Sequence, residues 1–127
     1  EIVSAHGWEH FRRLEHDALR SVSAKEASII STGGGIVLKE ENRALLEKGI
    51  VIRLDAPTDQ LAARIRHDTN RPRLTTEQSL EQELDRVRDE REELYASLAH
   101  ITYKTHELSV DEVVDSLLAT GLFTKNA

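Results

Sequence analysis

Five consecutive residues, Ser31-Thr32-Gly33-Gly34-Gly35, stand where a short apolar run ends. Three glycines in a row weaken a strand or helix interior, because each loses more backbone entropy on ordering than alanine does. What they offer is access: a ligand can reach the main chain, and successive N–H groups can converge on an oxygen. A tight strand-to-helix turn with no ligand also fits the bare glycines. Their place after a buried-strand candidate favours a site. A second set is Arg64, Arg66, Arg71 and Arg73, crowded around one polar segment of a chain whose net charge is −6. Guanidinium forks match carboxylates and phosphates, and a closing loop can bring them onto a bound ligand. A solvated helix end with its adjoining loop would explain the same run.

Two further patterns lie in helical stretches. Phe11-Arg12-Arg13-Leu14-Glu15 sets a cation and an anion three apart, so Arg12 and Glu15 can meet on one helix face. Such pairs are usually surface decoration, but here the pair borders an apolar stripe, and Glu15 could hold Arg12 towards a cleft. Arg91-Glu92-Glu93-Leu94-Tyr95 places Leu94 on the core side by periodicity, with Arg91 three residues earlier on that same side. A rival chemistry is spelled by His6-Gly7-Trp8-Glu9-His10, the H-x-x-E-H pattern of inverted zinc peptidases. Two histidines four apart share a helix face and a glutamate could serve as base. Gly7 weakens that helix, however, and the spacing identifies no third ligand. His16, His67, His100 and His106 show no metal spacing.

The elements that must position these residues alternate. Residues 6–22 read as an amphipathic helix with Trp8, Phe11, Leu14, Ala18, Leu19 and Val22 at helical spacing. Residues 28–31 read as a short buried strand running into the glycines. A helix over 39–48 closes at Gly49, and residues 50–54, β-branched and without a breaker, form the clearest strand. Residues 55–67 make a turn and helix with Pro57 near its start. The polar stretch 68–79, with Pro72, is an exposed loop. A long charged helix over 79–99, a strand over 101–105 and a helix over 109–118 follow, the last opened by the capping box Ser109-x-x-Glu112. Strand–helix alternation implies a parallel sheet covered by helices, with ligands at the carboxyl ends of the strands.

Composition sets the outer bounds. At 127 residues, 39% hydrophobic and 31% charged, the chain makes one domain with one core. The absence of cysteine removes disulfides, thiolate nucleophiles and cysteine-based metal sites. The negative net charge argues against a general nucleic-acid binder, and no run of apolar residues is long enough to span a membrane. No leader is visible, so a cytoplasmic protein is expected. There is no methionine, even at position 1, so Glu1 is not expected to be the natural start.

Taken together and in order, four of these patterns resemble the shikimate kinase family. Its Phe-Arg-x-x-Glu motif is matched by Phe11, Arg12 and Glu15. Its Ser-Thr-Gly-Gly-Gly segment is matched by residues 31–35, its lid Arg-Pro pair by Arg71 and Pro72, and its Arg-x-x-Leu-Tyr motif by Arg91, Leu94 and Tyr95. Each motif alone is weak, whereas four in the right order over nearly the whole chain are specific. The resemblance implies a three-layer α/β/α parallel sheet of the P-loop kinase type, akin to nucleoside monophosphate kinases, with a lid loop at about residues 68–79. It implies ATP-dependent phosphorylation of a shikimate hydroxyl, with Mg²⁺, by a monomer of aromatic amino acid biosynthesis. Arg12 and Arg91 would clamp the shikimate carboxylate, and Gly33, Gly34 and Gly35 would lie against its hydroxyls. Arg71, and with it Arg64, would reach the nucleotide phosphates, Arg71 also neutralising charge that develops during transfer.

The sequence departs from the family in three places. Gly7-Trp8 stands where the family usually has Gly-Glu, and Arg73 interrupts the lid's Arg-Pro-Leu-Leu. The third departure is larger: the 127 residues contain no G-x-x-x-x-G-K-[ST] loop to cradle phosphates and supply a lysine. In folds of this kind the strand leading to that loop lies between the strand ending in the glycines and the strand at 50–54. The expectation is therefore a domain incomplete at its amino end, with a strand–helix–strand unit of about 30 residues or more outside the sequence. A non-catalytic remnant that binds shikimate without turnover is the alternative from a different class. A related kinase with another acceptor keeps the fold and changes the substrate.

Overall fold

The structure is a computed structural model that describes residues 2–25, 27–66 and 79–122. Helix α1 (Ile2–Ser23) leads to a 3-10 helix (Gly34–Leu38) and α2 (Glu40–Leu46); β1 (Ile52–Asp55), α3 (Thr58–Ile65), α4 (Leu80–Leu98), β2 (Ile101–Lys104) and α5 (Val110–Ala119) follow. The first helix begins ahead of the expected residue 6 and is interrupted at Gly7, whose φ of 84° is cheap for glycine alone. Of its expected stripe, Leu19 is buried while Leu14 and Ala18 are exposed.

Strands β1 and β2 pair in parallel, Ile52 opposite Ile101 and Asp55 opposite Lys104. Parallel neighbours need a crossover, and here α3 and α4, packed against each other, supply it. At the far end of the pair, the Thr105 amide bonds Asp55 O at 2.8 Å. At the near end the β1 side is started by a side chain: the Val51 amide donates to His100 Nδ1 at 2.9 Å. The core gathers Leu19 from α1, Ile36 and Val37 from the 3-10 helix and Leu98 from α4.

Local signals place the helix ends. Ser109 Oγ accepts from the Glu112 amide at 3.1 Å and Glu112 Oε1 accepts from the Ser109 amide at 2.9 Å, the reciprocal box expected at α5. That backbone hydrogen bond from Ser109, with its hydroxyl second, holds the Glu112 carboxyl below the ordinary value of 4.5. A second box, Ser79 with Gln82, opens α4 and was not anticipated from the sequence. The buried positions of α4 include Glu83 and Arg91 beside Leu98, so two charged residues share its inner stripe.

Two expectations need correction. Residues 28–31 are not a strand, and Ile29 is 100% exposed. A strand is held by a hydrogen-bonded neighbour, and none lies beside this segment among the described residues. The sheet of the described residues accordingly has two strands, not the three read from the sequence. The loop expected at 68–79 lies, apart from Ser79, outside the described residues, as do Arg71, Pro72, Arg73 and His67. No helix among the described residues is long and apolar enough to cross a membrane.

Candidate active site around the glycine run

Each glycine of the run faces a different side chain. A Cβ on Gly33 would lie 3.6 Å from Glu15 Oε2, an ordinary contact. A Cβ on Gly34 would lie 2.9 Å from Tyr95 Oη and 3.5 Å from Arg91 Nη1. A Cβ on Gly35 would run into the Arg12 guanidinium. The absence of side chains thus lets two arginines from two helices lie directly on the main chain. Neither glycine 34 nor 35 has a positive φ, so what a side chain here would disturb is the packing of Arg12 and Tyr95 on the main chain, not the backbone conformation.

Arg12 and Glu15 meet as the helical spacing requires, Nη1 to Oε1 at 3.0 Å, with side chains 15% and 13% exposed. The guanidinium also sits over two rings of α1, 5.0 Å from Trp8 and 5.3 Å from Phe11, contacts that favour a cation. Arg91 reaches the same place from α4. It is 7% exposed, and its Nε has no hydrogen-bond partner among the described residues. No carboxylate among them pairs with it either. Among the described residues one carboxylate stands against two guanidiniums, which leaves positive charge in excess beside the glycines. A cleft of about 480 Å³ adjoins them, between α1 and residues 28–33, with Glu15, Leu19, Ile30 and Gly33 in its wall.

Behind the glycines a third arginine is locked in place. Arg53 of β1 donates to both oxygens of Glu92, at 3.0 and 2.6 Å. Those hydrogen bonds raise the arginine's pKa and hold the Glu92 carboxyl below its usual value, each shift having the other residue as its first cause. The Arg53 guanidinium lies 5.2 Å from the Tyr95 ring centroid, and Tyr95 Oη donates to Gly34 O at 2.7 Å. Arg53 carried no signal in the sequence beyond that of a strand residue. In the sequence Tyr95 is marked only as the last residue of the Arg-x-x-Leu-Tyr motif; the signal for a role at the site is its place one helical turn after Arg91, on the same face.

Arg64 is placed elsewhere, bonding Thr105 Oγ1 at 2.8 Å beside the carboxyl ends of both strands. Arg66, at the end of α3, forms an ion pair with Glu81 in the first turn of α4. Arg88, also of α4, holds Asp55 and bonds Ala56 O at 2.7 Å, fixing the exit of β1. The zinc-peptidase pattern finds no support. His6 and His10 stack at 4.9 Å, and no group of three metal-binding side chains exists among the described residues. His16 instead ties α1 to α2, 2.6 Å from Oδ1 of the fully buried Asn42.

The architecture is shared with solved kinases. The structure is similar to a shikimate kinase from Acinetobacter baumannii in complex with shikimate, at a TM-score of 0.87 and 30% identity, covering 99% of this chain and 70% of that one. The fold is thus the α/β P-loop kinase fold. The sequence profile of shikimate kinase matches residues 1–121. Shikimate kinases from Geobacter metallireducens and Legionella pneumophila (strain Corby) are 44% and 39% identical over 90% and 92% of this chain. The chain belongs to the shikimate kinase family. It spans 63% and 67% of the length of those two relatives.

Proposed function

We propose that these residues form the acceptor-binding part of a shikimate kinase, in which ATP phosphorylates a ring hydroxyl of shikimate. The observation that carries the reading is Arg91: a buried guanidinium with no acidic partner among the described residues, set beside Arg12 on a bare glycine run. A buried charge is costly unless it is answered, and a carboxylate between two guanidiniums answers it in forked geometry. Arg12 and Arg91 hold the carboxylate, and Gly33, Gly34 and Gly35 lie against the ring hydroxyls. The likeness to a structure holding shikimate supports the assignment.

In the transfer itself an O–P bond forms from the acceptor hydroxyl to the γ-phosphorus as the P–O bond to ADP breaks; ADP leaves with that electron pair, the hydroxyl proton is released to water, and negative charge spreads over the phosphoryl oxygens. Arginine donors stabilise such charge. In this reading Arg71 of the lid at residues 68–79 takes that role, and Arg64, near the end of α3, also reaches for the nucleotide phosphates. Mg²⁺ accompanies ATP in this reading, but the described residues contain no cluster of three side chains to hold it. The same reading makes the protein a cytoplasmic monomer of aromatic amino acid biosynthesis.

The test is calorimetric titration of shikimate into the natural polypeptide that carries these residues, paired with an assay of ADP release. Saturable binding and shikimate-dependent ADP release are expected, both lost in Arg12→Ala. No binding, or equal binding of a ring alcohol lacking the carboxylate, rejects the reading.

A further inference from the structure

Arg91 and Tyr95 lie one turn apart on α4, and both face Gly34, the tyrosine oxygen being the nearer. The tyrosine's own position is fixed from the opposite side. Its ring rests against Arg53, and Arg53 is gripped by both oxygens of Glu92. Arg53 belongs to β1. A line of contacts therefore runs from the sheet through α4 to the glycine run, ending in one hydrogen bond from Tyr95 Oη to Gly34 O.

We infer that Tyr95 is a positioning residue for the acceptor site: its hydroxyl sets the Gly34–Gly35 peptide against Arg91 and Arg12, and Arg53 with Glu92 holds the ring. Consecutive glycines can adopt many backbone conformations, so a run that must match two arginines needs an anchor. The peptide group is planar, with its C=O and N–H antiparallel. Anchoring the Gly34 carbonyl to the tyrosine therefore also aims the Gly35 N–H, in the opposite direction. Gly35 is the residue on which the Arg12 guanidinium packs. One hydroxyl thus orients the surface shared by both arginines. The phenyl ring alone, which serves the contact with Arg53, cannot do this.

The inference rests on the proposed shikimate site, and the experiment separates the two. Tyr95→Phe, made in the natural polypeptide, keeps the ring and removes only the oxygen. Shikimate Kd and KM should rise about two- to tenfold, the range of one neutral hydrogen bond. The KM for ATP should stay unchanged, kcat should move less than the shikimate KM, and the thermal midpoint should fall only by the few degrees that one hydrogen bond accounts for. Glu92→Gln, remote from the glycines, should shift the shikimate KM in the same direction by a smaller factor. An unchanged shikimate KM in Tyr95→Phe, or an equal loss for ATP and shikimate, overturns the inference while leaving the site reading in place. A wild-type polypeptide that binds no shikimate removes both.

Discussion

A guanidinium taken out of water with no anion beside it weakens the fold that carries it, and among the described residues Arg91 is in that position. Function and stability should therefore separate at this residue. Arg91→Met keeps the apolar stem and discards the charge, so thermal denaturation should show no loss of stability. Shikimate affinity should fall about ten- to hundredfold, the range for hydrogen bonds to a charged group. A parallel loss of both would mean that Arg91 is a structural residue. The glycines make a graded prediction in the same binding assay. Alanine at Gly33 meets only an ordinary contact with Glu15, at Gly34 it crowds the Tyr95 hydroxyl, and at Gly35 it strikes Arg12. Affinity should fall in that order, with Gly35→Ala losing about tenfold or more, because the Arg12 guanidinium must leave its place on the main chain to make room. An equal response at all three would remove the role given to close approach.

At the scale of elements, the best-read features are those whose cause is local. The box at Ser109 and Glu112 needs only four residues of sequence and forms as expected. Ser109→Ala should lower stability by about 1 kcal/mol in a denaturant melt. Because the folded Glu112 carboxyl is held below 4.5, its contribution is present above that pH and is lost as pH falls through the lower, folded value. The midpoint difference between wild type and Glu112→Gln should accordingly shrink as the pH is lowered from above 4.5 to below it. A difference that stays constant would deny the carboxylate its capping role. Strands were harder to read, because what makes a strand is its neighbour. The apolar run at 28–31 has strand composition, yet no partner among the described residues, and it forms no ladder. Buried charge on α4 was half legible: the Arg-x-x-Leu-Tyr resemblance marked Arg91, while nothing local marked Glu83.

For the molecule as a whole, the legible part was the order of chemical motifs along the chain. Arg12, the glycines and Arg91 come from segments up to about 80 residues apart, and the fold brings all of them to one place. Arg53 stayed hidden because its importance lies entirely in tertiary contacts, to Glu92 and to the Tyr95 ring. Parallel pairing of β1 with β2 across α3 and α4 follows from the alternation of strands and helices, and it is what carries Arg53 up to α4. In the proposed function a carboxylic acid is held between the guanidiniums of α1 and α4. A crystal structure of the natural polypeptide grown with shikimate tests it directly. Carboxylate oxygens are expected within hydrogen-bonding distance of both Arg12 and Arg91, with the ring over Gly33, Gly34 and Gly35. A carboxylate bound to neither arginine, in a site away from the glycines, would contradict it.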